Sequence, residues 1–346
     1  MLYVDWSDVL LCLTIFFLFF IVILTAVLYA TTTRTALIIR YEDEMTFKDP
    51  AKPGRRIPFP HLKDEPTIDL SVIVPAYEEE KRLPPMLDEC LEHLENKQKS
   101  NKNFKYEVIL VDDGSKDRTS EVGLSYCLRH GCEKVRVLTL VKNRGKGGAV
   151  RMGMLSARGK LLLFADADGA TRFSDIDKLN DAMEQLQLTS ETSVVVGSRA
   201  HLEKDSIATR SIFRTILMFG FHFLVWLFAV RGIRDTQCGF KLFTREAAKY
   251  LFASLHVERW AFDVEMLYLA QKLQFPIKEV SVHWTEIEGT CGLCLPVDTF
   301  LKNVFSKGSK VVPFWTWMEM GRDLFLMWMR YTVGAWTIAI RPDKEK

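Results

Sequence analysis

The sequence predicts an α/β protein built on a mostly parallel central sheet, and three observations predict it. Short, nearly continuous apolar runs recur from Leu70 onward, helix-like stretches separate them, and four successive runs end in acidic, basic or glycine-rich clusters. The runs are Leu70–Pro75, Glu107–Val111, Val135–Leu140, Leu161–Ala165 and Ser193–Gly197. Val, Ile and Leu in unbroken series suit strands buried on both faces of a sheet. Between them, 83–95, 119–129, 147–157 and 174–188 read as helices, and strand–helix alternation implies a parallel sheet. Ligands of such sheets bind beyond the carboxyl ends of the strands.

Ahead of this domain, Val9–Ala30 contains no charged residue. About 20 apolar residues cross a bilayer as a helix. A cleaved signal would have a basic start and a shorter apolar run, whereas Asp5 and Asp8 precede this one. Residues 1–30 therefore read as an uncleaved membrane anchor. Arg34, Arg40, Lys48, Lys52, Arg55 and Arg56 follow it, and the bias of basic residues toward the cytoplasmic side places the remainder in the cytosol. Residues 31–67, with Pro50, Pro53, Pro58, Pro60 and Pro66, read as an extended linker. The net charge of +2 gives no global field of the kind that marks nucleic-acid binding. Seven cysteines, odd in number and mostly isolated, suit reduced thiols rather than a disulfide framework. Cys291 and Cys294 form a lone C-x-x-C, and zinc would need two more ligands.

The strand ends carry the chemistry. Pro75-Ala76-Tyr77-Glu78-Glu79 follows the first strand and Asp112-Asp113-Gly114 the second. Asn143-Arg144-Gly145-Lys146-Gly147-Gly148 follows the third, and Asp166-Ala167-Asp168-Gly169 the fourth. Each alone is an ordinary turn or helix cap; the four together fit a nucleotide-sugar site. Tyr77, Glu79 and Asp113, with Pro75 and Asp112 beside them, are placed to hold base and ribose. Asp166 and Asp168 can present carboxylates to one hard cation, Mg²⁺ or Mn²⁺, that also binds phosphate oxygens. Arg144, Lys146 and the N–H groups around Gly147 add positive potential near a pyrophosphate. No G-x4-G-K-[ST] occurs, so a P-loop NTPase is excluded, and the glycine-rich turn, which follows the third strand without dinucleotide spacing, argues against a nicotinamide enzyme.

In these motifs the chain resembles glycosyltransferase family 2, whose fold is the GT-A nucleotide-sugar domain. The matching stretches are SVIVPAYEEEKRL (71–83), VDDGSKDRT (111–119), NRGKGGAVRMGM (143–154), DADGA (166–170), GSR (197–199) and RDTQCGFKLFTR (234–245). The resemblance spans residues 68–286. It implies an inverting, metal-dependent transfer, with Asp168 and Asp263 as catalytic candidates. Asp263 stands near the place of the family's base; a structural or metal-shell carboxylate is the other reading. DADGATRFSDIDKL, RDTQCGFKLFTREAA and HWTEIEG are most similar to members that move glucose from UDP-glucose to dolichyl phosphate on the cytosolic face of the endoplasmic reticulum. A mannosyl version using GDP-mannose stays open, because these motifs do not read the donor base. A processive polysaccharide synthase would need several spans and a Q-x-x-R-W element after the base. Here Arg259-Trp260 precedes Asp263 and lacks the Gln.

A lipid phosphate has a second pKa of about 6 by analogy with other phosphomonoesters, so a strong base is optional. It does need cations, and Arg199, Arg210, Arg214 and Lys241 are the candidates, arginine suiting bidentate phosphate contacts. Residues 211–230 are apolar but interrupted by Arg214 and His222. They read as an amphipathic helix in the membrane interface, with a spanning helix as the alternative. The tail, 287–346, with Trp315, Trp317, Trp328 and Trp336, reads as membrane-associated through the lipids of the endoplasmic reticulum. Thr290–Gly308 intervenes where the family runs almost directly from W-T-E-I-E-G into S-K-x-V-P-F-W, and reads as an insertion.

Overall fold

The computed structural model describes residues 6–202, 220, 222–285, 287 and 313–338. Arg210, Arg214, half of the predicted interfacial stretch and the whole of Thr290–Gly308 lie outside the described residues.

Helix α1 (Trp6–Thr31) contains a 23-residue stretch, Val9–Thr31, long and apolar enough to cross a membrane, and none of its best window is buried against the protein. Phe16, Phe17 and Leu10 are more than half exposed, so no protein core accounts for these side chains. The segment after it departs from the predicted extended linker. A 3-10 turn (Glu42–Met45) leads into an antiparallel pair, β1 (Thr46–Lys48) and β2 (Arg56–Pro58). The prolines at 50 and 53 fall in the connection between these strands, where no ladder N–H is required. Phe47 and Leu62 are buried, and Phe47 packs on Phe59 with ring centroids 4.9 Å apart. Apolar residues spaced among the prolines thus dock the segment.

The domain follows in alternation: β3 (Ile68–Ala76), α2 (Leu83–Ser100), β4 (Tyr106–Asp112), α3 (Thr119–His130), β5 (Val135–Thr139), α4 (Lys146–Leu155), β6 (Gly159–Ala165), α5 (Ile176–Gln187) and β7 (Val194–Ser198). Then come β8 (Phe240–Thr244), α6 (Arg245–Ser254), α7 (Phe262–Lys272), β9 (Ile277–Ser281) and α8 (Pro313–Thr332). One sheet of seven strands has the order β5-β4-β3-β6-β8-β7-β9. All neighbours pair in parallel except β8, which runs antiparallel to both β6 and β7. Side-chain alternation along the strands divides the core in two. Ile73, Ile109, Val111, Leu162 and Phe164 face α4, α6 and α7; Val72, Val74, Val108, Leu110 and Leu163 face α2, α3 and α5.

β8 sets up the site. Because it runs against β6, its first residue pairs with the last of β6, Phe240 with Ala165. The residues entering β8 therefore lie at the edge where β3, β4, β5 and β6 end. Helix α7 begins there too, with Asp263 in its first turn, where the partial positive charge of a helix start favours a carboxylate.

Candidate active site

The four loops predicted from the sequence converge on this edge. After β3, Glu78 adopts φ +55°, a left-handed conformation uncommon for a side-chain-bearing residue, and its N–H donates to Ser115 Oγ at 3.0 Å. Glu79 is tied twice: its N–H donates to Thr119 Oγ1 at 2.8 Å and its carboxylate accepts from Arg82. Pro75 is buried within β3, paired with Val111 rather than lining the edge. Tyr77 is half-buried just beyond it.

The adjacent aspartates do different work. Asp112 is 2 % exposed and accepts from Ser115 N at 2.9 Å and from Ser120 Oγ, so it holds the turn after β4. Asp113 is equally buried, and its two oxygens accept from Arg144 N at 2.7 Å and Gly145 N at 2.8 Å. Burial pushes the Asp113 carboxyl up to about 7 against the pull of those two N–H groups. Both carboxylates, expected beside the base and ribose, accept from protein donors and brace their loops. A turn that must close around a ligand needs its own N–H groups satisfied, and these aspartates do that.

The glycine-rich loop starts α4. Gly145 sits at φ +82°, and a β-carbon there would crowd the Glu258 carbonyl, so glycine is required. A β-carbon on Gly147 would meet the Phe262 side chain, which lets α4 and α7 approach closely. The Arg144 guanidinium donates to Glu44 at 2.7 Å and to the Ile39 carbonyl at 2.6 Å. A buried carboxylate from the supposed linker pairs with the charge of Arg144, the residue expected near the phosphates.

Lys146 is the cation that reaches the centre. Its ammonium lies 2.7 Å from Asp166 Oδ1, over the rings of Phe164 and Trp260. Burial by itself would lower its pKa, but Asp166, then Asp263 and Asp168, outweigh it and raise it, so Lys146 stays charged. Asp168 accepts from Ala170 N at 3.0 Å, and burial followed by the nearby Asp166 raises its pKa. Behind Asp166 stands Gly239, whose carbonyl accepts the Asp166 N–H at 3.0 Å and whose missing β-carbon leaves the room the Asp166 carboxylate fills.

Lys241 and Asp263 form a second ion pair beneath this one. Lys241 is 0 % exposed, its ammonium 2.6 Å from Asp263 Oδ1 and 2.5 Å from the Cys238 carbonyl. Lys241, expected among the acceptor-binding cations, is thus enclosed in an ion pair. Asp263, 4 % exposed, has its charge balanced by Lys241 and Lys146, although burial raises its pKa. Of the acceptor arginines, Arg199 is described: it grips Asp235 in a two-point pair at 2.7 and 2.9 Å and lies over the Trp284 ring. That pair holds Asp235 below the usual carboxylate range in spite of its burial.

Sequence reasoning missed Trp260, Arg82, Gly239 and Glu44. Arg82 adds positive potential at Asp168, and its Nη1 is buried without a hydrogen-bond partner among the described residues. Only its place in the SVIVPAYEEEKRL stretch could have pointed to it. Trp260 had a signal, adjacency to the Asp263 motif, but counted only as a failed synthase element.

Asp166 and Asp168 form no cluster with a third His, Cys, Asp or Glu among the described residues. A pair of carboxylates suits Mg²⁺-type ions, which take one or two carboxylates and complete their shell with water and substrate phosphates. The residues present fit that kind of site.

A mostly parallel sheet whose strand tips gather an Asp-x-Asp, a lysine and a glycine-rich turn defines a nucleotide-sugar-type transferase fold. The sequence matches the family described as Glycosyl transferase family 2 over residues 71–252. It is 62% identical over 310 residues to the dolichyl-phosphate beta-glucosyltransferase of Drosophila melanogaster, covering 89% of both chains. To the human protein of the same name it is 54% identical over 319 residues, covering 92% of both. The chain belongs to glycosyl transferase family 2, and it is a glycosyltransferase. Among solved structures, glucosyl-3-phosphoglycerate synthase from Mycobacterium tuberculosis with UDP bound superposes with a TM-score of 0.45 at 15% identity, covering 79% of this chain and 82% of that one. That likeness is too loose to bear on the site.

Proposed function

We propose that this chain transfers glucose from UDP-glucose to dolichyl phosphate with inversion, on the cytosolic face of the endoplasmic reticulum membrane. The observation that carries the reading is the similarity, across about nine-tenths of both chains, to relatives named for that transfer. In this reading Asp166 and Asp168 hold Mg²⁺ or Mn²⁺, which when bound supplies charge neutralisation for the departing diphosphate. Lys146 keeps a permanent positive charge beside the same phosphates. The N–H groups opening α4 face them, with the loop braced by Asp113. Tyr77 and Trp260 offer ring faces to the base or sugar.

The acceptor phosphate is largely dianionic at neutral pH, so no group has to remove a proton. That fits Asp263, whose carboxylate is committed to Lys241. Asp263 then sets the charge balance around Lys146, and positioning supplies the rate. Arg199 acts by holding the 197–199 turn through Asp235.

Membrane seating serves the lipid substrate. Val9–Thr31 inserts as the anchor. Phe228 packs on Phe325 and Trp328 of α8, while Phe223 and Trp226 remain more than half exposed and Phe325 partly so. Aromatic residues of this kind favour the boundary between lipid and water. Residues 31–62 and 313–338 would then keep the catalytic domain at the surface where a polyprenyl tail stays in lipid.

The test is donor choice. Membranes containing the chain are offered labelled UDP-glucose or GDP-mannose with dolichyl phosphate. Glucose alone entering the lipid fraction supports the reading; mannose entering instead overturns the donor assignment.

A further inference from the structure

The segment joining α1 to β1 is laced to α4 along its length. Arg151 donates to the Leu37 carbonyl at 3.3 Å and Arg144 to the Ile39 carbonyl at 2.6 Å. Arg40 returns a bond to Ser156 Oγ, just past the end of α4, at 2.6 Å. Glu44 is 0 % exposed and gathers three donors: Val141 N at 3.0 Å, Tyr41 N at 3.2 Å and Arg144 Nη2 at 2.7 Å. Lys142 and Arg144 also lie over the Tyr41 ring. At the membrane end, the Arg34 carbonyl accepts two bonds from Thr337, and Tyr29 O–H donates to the Val333 carbonyl at 2.6 Å.

The loop from β5 to Lys146 is therefore held from two sides. Asp113 holds the backbone of Arg144 and Gly145, and Glu44 holds Val141 and the Arg144 side chain. We propose that residues 37–44 form a strap between the apolar helix and the glycine-rich loop, with Glu44 as the positioning residue that sets the loop's place over the donor. The proposal rests on the reading of that loop as the donor's phosphate cradle. A buried carboxylate with three donors is costly to remove, since each donor is left unpaired. Its loss therefore registers in the loop it holds.

The full chain in membranes or detergent is assayed with Glu44→Gln, and with Glu42→Ala, an exposed residue on the same turn, as comparison. Glu44→Gln should raise KM for UDP-glucose about tenfold, the scale of one charged hydrogen bond, while KM for dolichyl phosphate stays unchanged. Glu42→Ala should change neither. In the wild-type chain, UDP with Mn²⁺ should slow amide exchange in residues 39–45 together with 141–148, a readout independent of any variant's folding. Slowing confined to 141–148, or an unchanged KM for UDP-glucose in Glu44→Gln, overturns the strap. Lys146→Ala separates the two readings through UDP affinity. If it weakens UDP binding while Glu44→Gln does not, only the strap fails; if it leaves UDP binding unchanged, the donor-loop reading fails with it.

Discussion

Replacing Lys241 with methionine should destabilise the domain through a carboxylate left without its cation. Lys241 and Asp263 are both enclosed, 0 % and 4 % exposed, with 2.6 Å between ammonium and carboxylate. Removing one partner of a buried pair costs about 3–5 kcal/mol, because the remaining charge is uncompensated. Lys146 still exerts some attraction on Asp263, which places the expected loss near the lower end, about 3 kcal/mol. With a urea slope near the top of the usual range, about 3 kcal/mol/M, the unfolding midpoint should fall by about 1 M. Lys241→Met/Asp263→Leu removes both charges and should recover most of that loss, since a buried pair exchanged for apolar residues is often neutral. Urea unfolding of the detergent-solubilised chain followed by tryptophan fluorescence measures both. A midpoint shift in the single variant below roughly a third of that expected from the pair's cost, or a double variant no better than the single, would refute the reasoning.

Gly239→Ala puts a β-carbon where the Asp166 carboxylate sits, and should cut transfer roughly 100-fold while the melting temperature changes little; near-normal transfer would show that Asp166 has another place to go. Burial raises Asp113 from 3.8 to about 7, so the folded state binds its proton more tightly than the unfolded chain. Its contribution to stability is therefore full below about pH 4 and lost as pH rises toward 7. Urea midpoints measured between pH 5 and 8 should fall for wild type and fall less for Asp113→Asn, and parallel curves would exclude that carboxyl as the source. Asp235 is held below 3.8 by Arg199. Its stabilisation is full above about pH 4 and lost as pH falls through the lower folded value. Arg199→Ala should bring acid unfolding to a higher pH, and an unmoved acid midpoint would deny the pair its stabilising part.

Strands β3 to β7 and the helices between them were legible because each is a simple local pattern. Unbroken Val, Ile and Leu runs have few alternatives to a doubly covered strand. β8 was hidden for the opposite reason: FKLFT carries a lysine at its second position, and only the partner on α7 explains why that charge can be buried. The Asp-x-Asp was readable as two carboxylates at a strand tip. Which acids brace loops was not, because Asp112 and Asp113 are told from Asp166 by the donors that surround them. Glu44 was the deepest miss. Among prolines and surface charges it looks like solvated linker, and its burial depends on Arg144 and Val141, a hundred residues along the chain.

The most direct measurement is product identity from the purified full chain with UDP-glucose, dolichyl phosphate and Mg²⁺ or Mn²⁺, beside Asp168→Ala. The account predicts dolichyl glucosyl phosphate with the inverted, β configuration, and none above background from the variant, whose folding is checked by an unchanged melting curve. An α-configured product, or a folded Asp168→Ala chain that transfers glucose at the wild-type rate, would contradict it.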